Sequence, residues 1–308
     1  MWWYVVKRLL QTIPVFLGAT LIIFLLLKLR PGDPVLNLAG NKPVSPEVRD
    51  ALAAQYHLDD PWYVQWPLFV KNAITLNFGD TFAGQPVIEL IRETFPVTVV
   101  LAVMALAIDA LLGIGLGTIA GLRRNGWFDS SMLVLSLALL SIPIFVVGFV
   151  MQLIFGVKLG WTTPTVGGDW NVGKLILPAV VLAIANFAYT LRLCRTSVAE
   201  NLSADHVRTA RAKGLSEPQV VVKHVLRNSL IPVITYIGIN LGSLMAGAII
   251  TETIFNIPGI GNAAYQAIIR GETSTVVAFV TFMVMVYVLM SLLVDLLYAV
   301  LDPRIRYA

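Results

Sequence analysis

Apolar residues occupy this chain in long blocks divided by short polar stretches. Six blocks approach the roughly 20 residues a helix needs to cross about 30 Å of hydrocarbon. They lie near 9–29, 96–122, 130–157, 174–194, 229–252 and 276–300. Closed barrels, the other way to satisfy a backbone in lipid, show weaker alternating segments of about ten residues. The pattern therefore predicts an all-α integral membrane protein with six transmembrane helices. With no internal repeat, low-complexity tract or change of composition, residues 1–308 read as a single membrane domain.

Two polar stretches exceed simple linkers. Residues 31–94 follow the first block, and there Ser45-Pro46-Glu47 resembles a capped helix start with proline at the first helical position. Trp62, Tyr63, Trp66, Phe69 and Val70 then recur at helical spacing. Their aromatic face suits the headgroup zone, and equally suits covering the ends of the spans.

The second stretch, 196–228, leads into the fifth block through RTARAKGLSEPQVVVKHVLRNSLIP, from Arg208 to Pro232. Its surroundings hold seven Lys/Arg from Arg192 to Arg227, which cannot sit in hydrocarbon. Gly214 can close a first helix in the left-handed conformation. Ser216-Glu217-Pro218-Gln219 has the form of a capping box opening a second, with Glu217 favouring the positive helix start. Val221, Val222, Val225 and Leu226 give that helix an apolar stripe flanked by Lys223, His224 and Arg227, and Pro232 marks the start of the fifth span. A loop that only sets topology needs charge, but not a glycine stop, a capping box and a stripe together. Two short helices joined by a sharp turn are expected, built to dock a soluble partner.

Composition agrees. The chain is 57% hydrophobic and 13% charged, with a mean hydropathy of +0.79, whereas soluble domains carry about 25% charged residues. The net charge of +4 needs no nucleic acid to explain it. Lys7, Arg8, Arg123, Arg124, the seven between Arg192 and Arg227, and Arg304 and Arg306 gather on alternate linkers, against Lys158, Lys174 and Arg270 opposite. The positive-inside rule then puts both termini in the cytoplasm and residues 31–94 outside. Met1 to Arg30 begins like a signal peptide, but its apolar run is too long and ends without a small-residue cleavage site, so it reads as a retained span. The one cysteine, Cys194, excludes an internal disulfide and a multi-cysteine metal site. It reads as a small packing residue rather than a reactive thiol beside Arg192 and Arg195.

Chemistry within the spans is sparse. Gly113, Gly117 and Gly121 recur every four residues and allow another helix close approach. Thr118 and the lack of a preceding strand set aside a dinucleotide fingerprint. Asp109 and Asp295 fall at membrane depth, where an ionisable group faces an interior or a watery cavity. Asp109 suits an internal hydrogen bond, a cationic substrate or a proton; Asp295 suits Arg304 or solvent. Asn186, Tyr189, Asn240 and Ser243 add polar atoms for a translocation path. The only histidines are His57, His206 and His224, and no HExxH occurs, so no catalytic residue, metal site or cofactor site is expected and a membrane hydrolase is set aside. An ion-coupled secondary transporter, for which Asp109 gives a foothold, would show inverted repeats that are not found. No G-x-x-x-x-G-K-[ST] occurs, so the chain cannot cradle ATP phosphates and energy must come from another subunit.

RTARAKGL, followed by HVLRN and Pro232, resembles the EAA loop of ABC importer permeases in the variant of the dipeptide/oligopeptide/nickel family. The similarity extends to PGDP after the first span, TFAGQPV before the second, RRNGWFD between the second and third, SIPIF in the third, ETIFNIPGIG after the fifth and DPRIR near the end. The resemblance implies the permease subunit of an ATP-driven importer of di- or oligopeptides in the bacterial plasma membrane, with nickel or a haem-like ligand as the alternative cargo. It implies a second homologous permease, two ATPase subunits or one fused ATPase, which bind ATP and Mg, and an external substrate-binding protein. Carried over by position, Arg208, Thr209 and Ala210 take the EAA places and Gly214 the glycine, and Arg208, Thr209, Ala210, Arg211, Ala212, Lys213, Gly214 and Leu215 form the ATPase-coupling segment. The literal Glu-Ala-Ala is absent. Asn77 stands where many relatives have Asp, and Tyr56-His57-Leu58 replaces a more usual Leu-Gly-Leu.

Overall fold

The computed structural model describes residues 2–29, 35, 45–55 and 57–301. The PGDP motif, Tyr56, Arg304, Arg306 and the DPRIR motif lie outside the described residues. The helices in order are α1 (Trp2–Leu29), α2 (Pro46–Gln55), α3 (Trp62–Ile74), α4 (Val87–Leu122), α5 (Trp127–Ser141), α6 (Ile144–Lys158), α7 (Val172–Leu202), α8 (Asp205–Ala212), α9 (217–254), α10 (Ile260–Arg270) and α11 (Thr273–Leu301). Among the described residues, five helices are long and apolar enough to cross a bilayer, or six if the bent pair α5–α6 is one span.

The third span expected over 130–157 takes the form of that bent pair. The two halves meet at 100°. Ile142 is extended (φ −99°, ψ 123°) directly before Pro143, because the proline ring clashes with a helical backbone at the preceding residue. The second span differs too: its helix starts at Val87, earlier than the expected 96, and Pro96 sits inside it. TFAGQPV explains that start. Thr81 N donates to Gln85 O at 2.9 Å, the Gln85 amide donates to Thr81 Oγ1 at 3.2 Å, Gly84 takes φ +77°, and Val87 N closes on Gly79 O at 3.0 Å. The tight turn delivers the chain straight into α4.

The chain divides into two compact units. One gathers the residues up to Thr98 with those from Pro258 onward. Its core joins Val87 and Ile91 of α4 to Ile260, Ala264 and Ala267 of α10 and to Ala278 and Phe279 of α11. Phe282 meets Phe78 and Phe95 edge-on. The Ile260 amide, free at the start of α10, donates to buried Thr98 Oγ1 at 2.9 Å, which satisfies one of the donors a helix start leaves open. Asp295 on α11 meets Arg8 on α1 at 3.3 Å; the expected partner, Arg304, is outside the described residues. As expected, a helix starts at Pro46 with Glu47 in its first turn. The aromatic helix α3 divides its roles: Trp62 and Tyr63 are exposed, while Phe69 packs 6.2 Å from Phe24 of α1.

The other unit runs from Val99 to Ile257. Its centre is the seam between α4 and α7. A Cβ at Gly113 would stand 2.6 Å from Thr190 Cγ2, at Gly117 2.7 Å from the Leu191 carbonyl oxygen, and at Gly121 2.8 Å from the Arg195 carbonyl oxygen. The glycine row is thus a close helix contact, as its spacing implies. Cys194 fills the same seam, buried, with its Sγ 3.5 Å from Thr118 Oγ1 and 3.6 Å from Ile114 O. Within hydrocarbon there is no hydrophobic drive between helices, so contact of this kind holds them together. Replacing Gly117 with Leu should lower the thermal unfolding midpoint of the detergent-solubilised chain, by a destabilisation of about 1–3 kcal/mol or more. Gly115, whose Cβ would meet nothing within 4 Å, should tolerate Ala, and equal effects at both positions would contradict the seam.

Candidate functional site

The polar stretch after α7 folds as a platform on the end of the bundle. Helix α8 closes where the sequence placed its stop. Gly214 has φ +80°, its amide donates to Arg211 O at 2.9 Å, and the Leu215 amide reaches Ala210 O at 3.4 Å. These two bonds form a Schellman motif, which needs a residue free to adopt left-handed dihedrals. Val207 and Ala210 point inward and join Cys194 and Val198 of α7 and Val220, Val225 and Val233 of α9 in one buried cluster. Their spacing of three puts both on one face of the helix.

The opposite face is open. Arg208 keeps 71% of its side chain exposed, with Asp205 at 3.7 Å, and Thr209, Arg211, Ala212, Lys213, Gly214 and Leu215 are also exposed. Of the eight proposed coupling residues, Ala210 alone is turned into the fold, so it can shape the platform but not touch a docked surface. Arg211 reaches over the turn to Glu217, with Nε to Oε1 at 2.8 Å and Nη2 to Oε2 at 3.2 Å. That carboxylate raises the Arg211 guanidinium above its usual pKa. The pair is in water, so it orients the turn and adds little stability.

Two expectations for the second helix are corrected. Ser216 is the N-cap residue with extended dihedrals, but its side chain makes no capping bond. Pro218 has no amide to satisfy and the first turn lies in water, so little is gained by a side-chain cap. Nor is the helix short. It passes through a π-helical stretch, Val221–Leu226, into Arg227–Ile254, and the junction residues Val220, Leu226 and Arg227 all keep right-handed helical dihedrals. Pro232 lies inside this helix rather than at its start. The turn at Gly214 therefore leads directly into the fifth apolar span as one rod.

Sequence reading missed the polar contacts that fix the platform and the helix beneath it. Ser229 Oγ of α9 donates to the Ser197 carbonyl of α7 at 3.1 Å. His206 Nε2 lies 3.2 Å from the His224 carbonyl oxygen and 3.1 Å from Asn228 Nδ2. Arg195 of α7 forms a fork with Asp129 of α5, Nε to Oδ1 at 2.8 Å and Nη2 to Oδ2 at 2.6 Å.

Polar residues proposed for a path gather higher in the same unit. Asp109 is buried and its Oδ2 accepts from Thr190 Oγ1 at 2.9 Å; Oδ1 has no partner among the described residues. Tyr189 is half-exposed and its ring lies 6.4 Å from that of Tyr236. Tyr236 is in electrostatic reach of Asp109 and adjoins Asn240, whose Nδ2 is buried without a partner among the described residues. Asn186 is half-buried one turn before Thr190. The Ser243 side chain lies outside the described residues. Thr190 and Tyr236 went unrecognised in the sequence, although Asp109 continues the glycine row by one more interval of four and so had to face α7.

A family profile described as binding-protein-dependent transport system inner membrane component matches residues 113–307. This chain belongs to that family. The matched residues cover the seam, the platform and α9. Relatives align over almost the full length of both chains. A Brucella abortus (strain 2308) chain carrying a peptide transport permease name is 37% identical, with 98% of each chain covered. The dipeptide transport system permease protein of Alkalihalophilus pseudofirmus is 33% identical, and the glutathione transport system permease protein of Escherichia coli (strain K12) 36%, each with 99% of both chains covered. A crystal structure of an amino acid ABC transporter with histidines shares the fold at TM-score 0.52 and 14% identity, covering 68% of this chain and 94% of that one. Membership makes the chain a multi-pass membrane component of a transport system that works with a binding protein.

The buried carboxyl gives this subsection its test. Thr190→Val removes the hydroxyl without changing shape and leaves Asp109 with neither oxygen bonded, a loss of about 1–3 kcal/mol. The thermal midpoint of the solubilised chain should fall accordingly and recover in Thr190→Ser; a midpoint unchanged in Thr190→Val would show that the bond does not form.

Proposed function

We propose that this chain is a permease subunit of an ATP-driven importer of short peptides, forming part of the translocation path. The observation that carries the reading is the platform: an exposed basic helix, closed by Gly214, resting on α7 and joined covalently to a rod that becomes a membrane span. Full-length similarity to permeases named for peptide, dipeptide and glutathione transport supports peptides as cargo.

In this reading the platform lies in the cytoplasm, as the basic linkers indicate by the positive-inside rule, with both termini on that side and the segment 31–94 outside. ATPase subunits grip Arg208, Thr209, Arg211, Ala212, Lys213 and Leu215, while Ala210 and Gly214 keep the helix in shape. ATP-driven closure of those subunits moves α8. Because α8 is packed on Val198 and Val225 and α9 is continuous from the turn, the movement reaches both apolar helices together. The path, to which Asp109, Asn186, Tyr189, Asn240 and Ser243 contribute, then changes the side to which it opens. An external binding protein delivers the peptide and a second, similar permease completes the path. Ligand and nucleotide bias this equilibrium only through their differential affinity for the two states. Hydrolysis takes place on the ATPase subunits, where ATP and Mg bind, and no residue here is catalytic.

Gly214→Val isolates the platform. A Cβ there meets nothing within 4 Å, so the substitution acts only through the backbone, where a left-handed β-branched residue costs about 1–2 kcal/mol. Insertion and subunit assembly should persist while peptide uptake per ATP hydrolysed falls about tenfold in proteoliposomes. Uptake per ATP equal to that of the unaltered complex would refute the coupling role.

A further inference from the structure

The fork between Asp129 and Arg195 joins α5 to α7 and does not itself touch the platform. Asp129 lies in the first turn of α5 with 2% of its side chain exposed, and Arg195 with 18%. Besides the two guanidinium donors, Asp129 Oδ2 accepts from the Asn125 amide at 2.9 Å, and Asn125 holds φ +64°. One carboxylate thus ties together the turn after α4, the start of α5 and the last third of α7. Topology asks only for positive charge on this linker, which Arg123 and Arg124 already supply. A buried pair is weak evidence of stability as such, but it fixes geometry, since parting it leaves a charge uncompensated.

Arg195 is also held by its own backbone. Its carbonyl oxygen lies 2.8 Å from where a Cβ on Gly121 would stand, and its amide 3.3 Å from the same position on Gly117. Three residues on, Val198 enters the cluster beneath α8 with Val207 and Ala210. Arg195 therefore bonds α5 directly and stands one turn before the residue that packs beneath the platform.

We infer that the Asp129–Arg195 fork is the joint that carries displacement of the platform into the third apolar block, and that both are positioning residues for transport. The inference rests on the coupling role given to α8. A shift of α7 with the platform must carry Asp129 along, because the alternative is a stranded buried charge. The break at Ile142-Pro143 then lets α5 follow without dragging α6 rigidly behind it.

The test uses the whole complex, isolated through a tag on this chain and placed in proteoliposomes, with uptake of a labelled dipeptide and ATP hydrolysis measured together. Arg195→Lys keeps the charge and loses the fork. The double variant Asp129→Leu/Arg195→Met removes both charges, a change that buried pairs tolerate in folding. Both should assemble and hydrolyse ATP, with dipeptide uptake per ATP lower by about fivefold or more. Uptake per ATP unchanged in the double variant overturns the inference, and so does its failure to assemble, which would make the fork a requirement of the fold. Gly214→Val separates the two readings: if it uncouples and the fork variants do not, only the joint is wrong, and if it too leaves uptake per ATP unchanged, the coupling role falls first.

Discussion

Close approach of α4 and α7 is the constraint on which the rest of the larger unit depends. Where lipid tails are as apolar as leucine, burying side chains gains nothing over leaving them outside, and helices associate by van der Waals fit and internal polar bonds. Gly113, Gly117 and Gly121 supply the fit, with neighbouring atoms inside 3 Å of where a side chain would begin. Once the backbones are that near, Thr190 can reach Asp109 across the seam, Cys194 can settle against Thr118, and Arg195 is held where its side chain reaches Asp129. A polar pair at each end and a thiol between them are consequences of three missing side chains.

The platform extends the same logic into water. Its apolar underside, Val207 and Ala210, continues the packing of α7, while its charged side is left open. What joins it to the membrane is not a flexible link but a helix that runs from residue 217 to residue 254 with one π-helical stretch. Such stretches mark an inserted residue and often accompany function. Here the extra turn width falls where the polar part of the rod gives way to the apolar part, with Val225 buried in the cluster and Val222 exposed.

Much of this was legible in the residues. Block length gave the spans, the spacing of glycines gave the seam, and Gly214 gave the end of α8. The misreadings had local physical causes. Pro143 is one of five prolines inside the apolar blocks, and only the extended dihedrals of Ile142 distinguish it from Pro96 or Pro232, which the helices absorb. A serine followed by Glu, Pro and Gln satisfies the capping pattern, yet solvent at an exposed turn competes for the same amides. The partners of Asp109 and Arg195 sit 81 and 66 positions away in the chain, beyond anything that periodicity within one helix can reveal.

The kink between α5 and α6 has a further meaning. Ending one helix at Ser141 and starting another at Ile144 leaves the last carbonyls of the first without intrahelical donors and the first amides of the second without intrahelical acceptors, in a stretch otherwise built for hydrocarbon. Oil cannot solvate those groups; irregular backbone at such depth survives only beside protein or a water-filled hollow. The sharp corner therefore dictates its surroundings: a bilayer enclosing this fold must be thinned, flooded or walled off at Ile142.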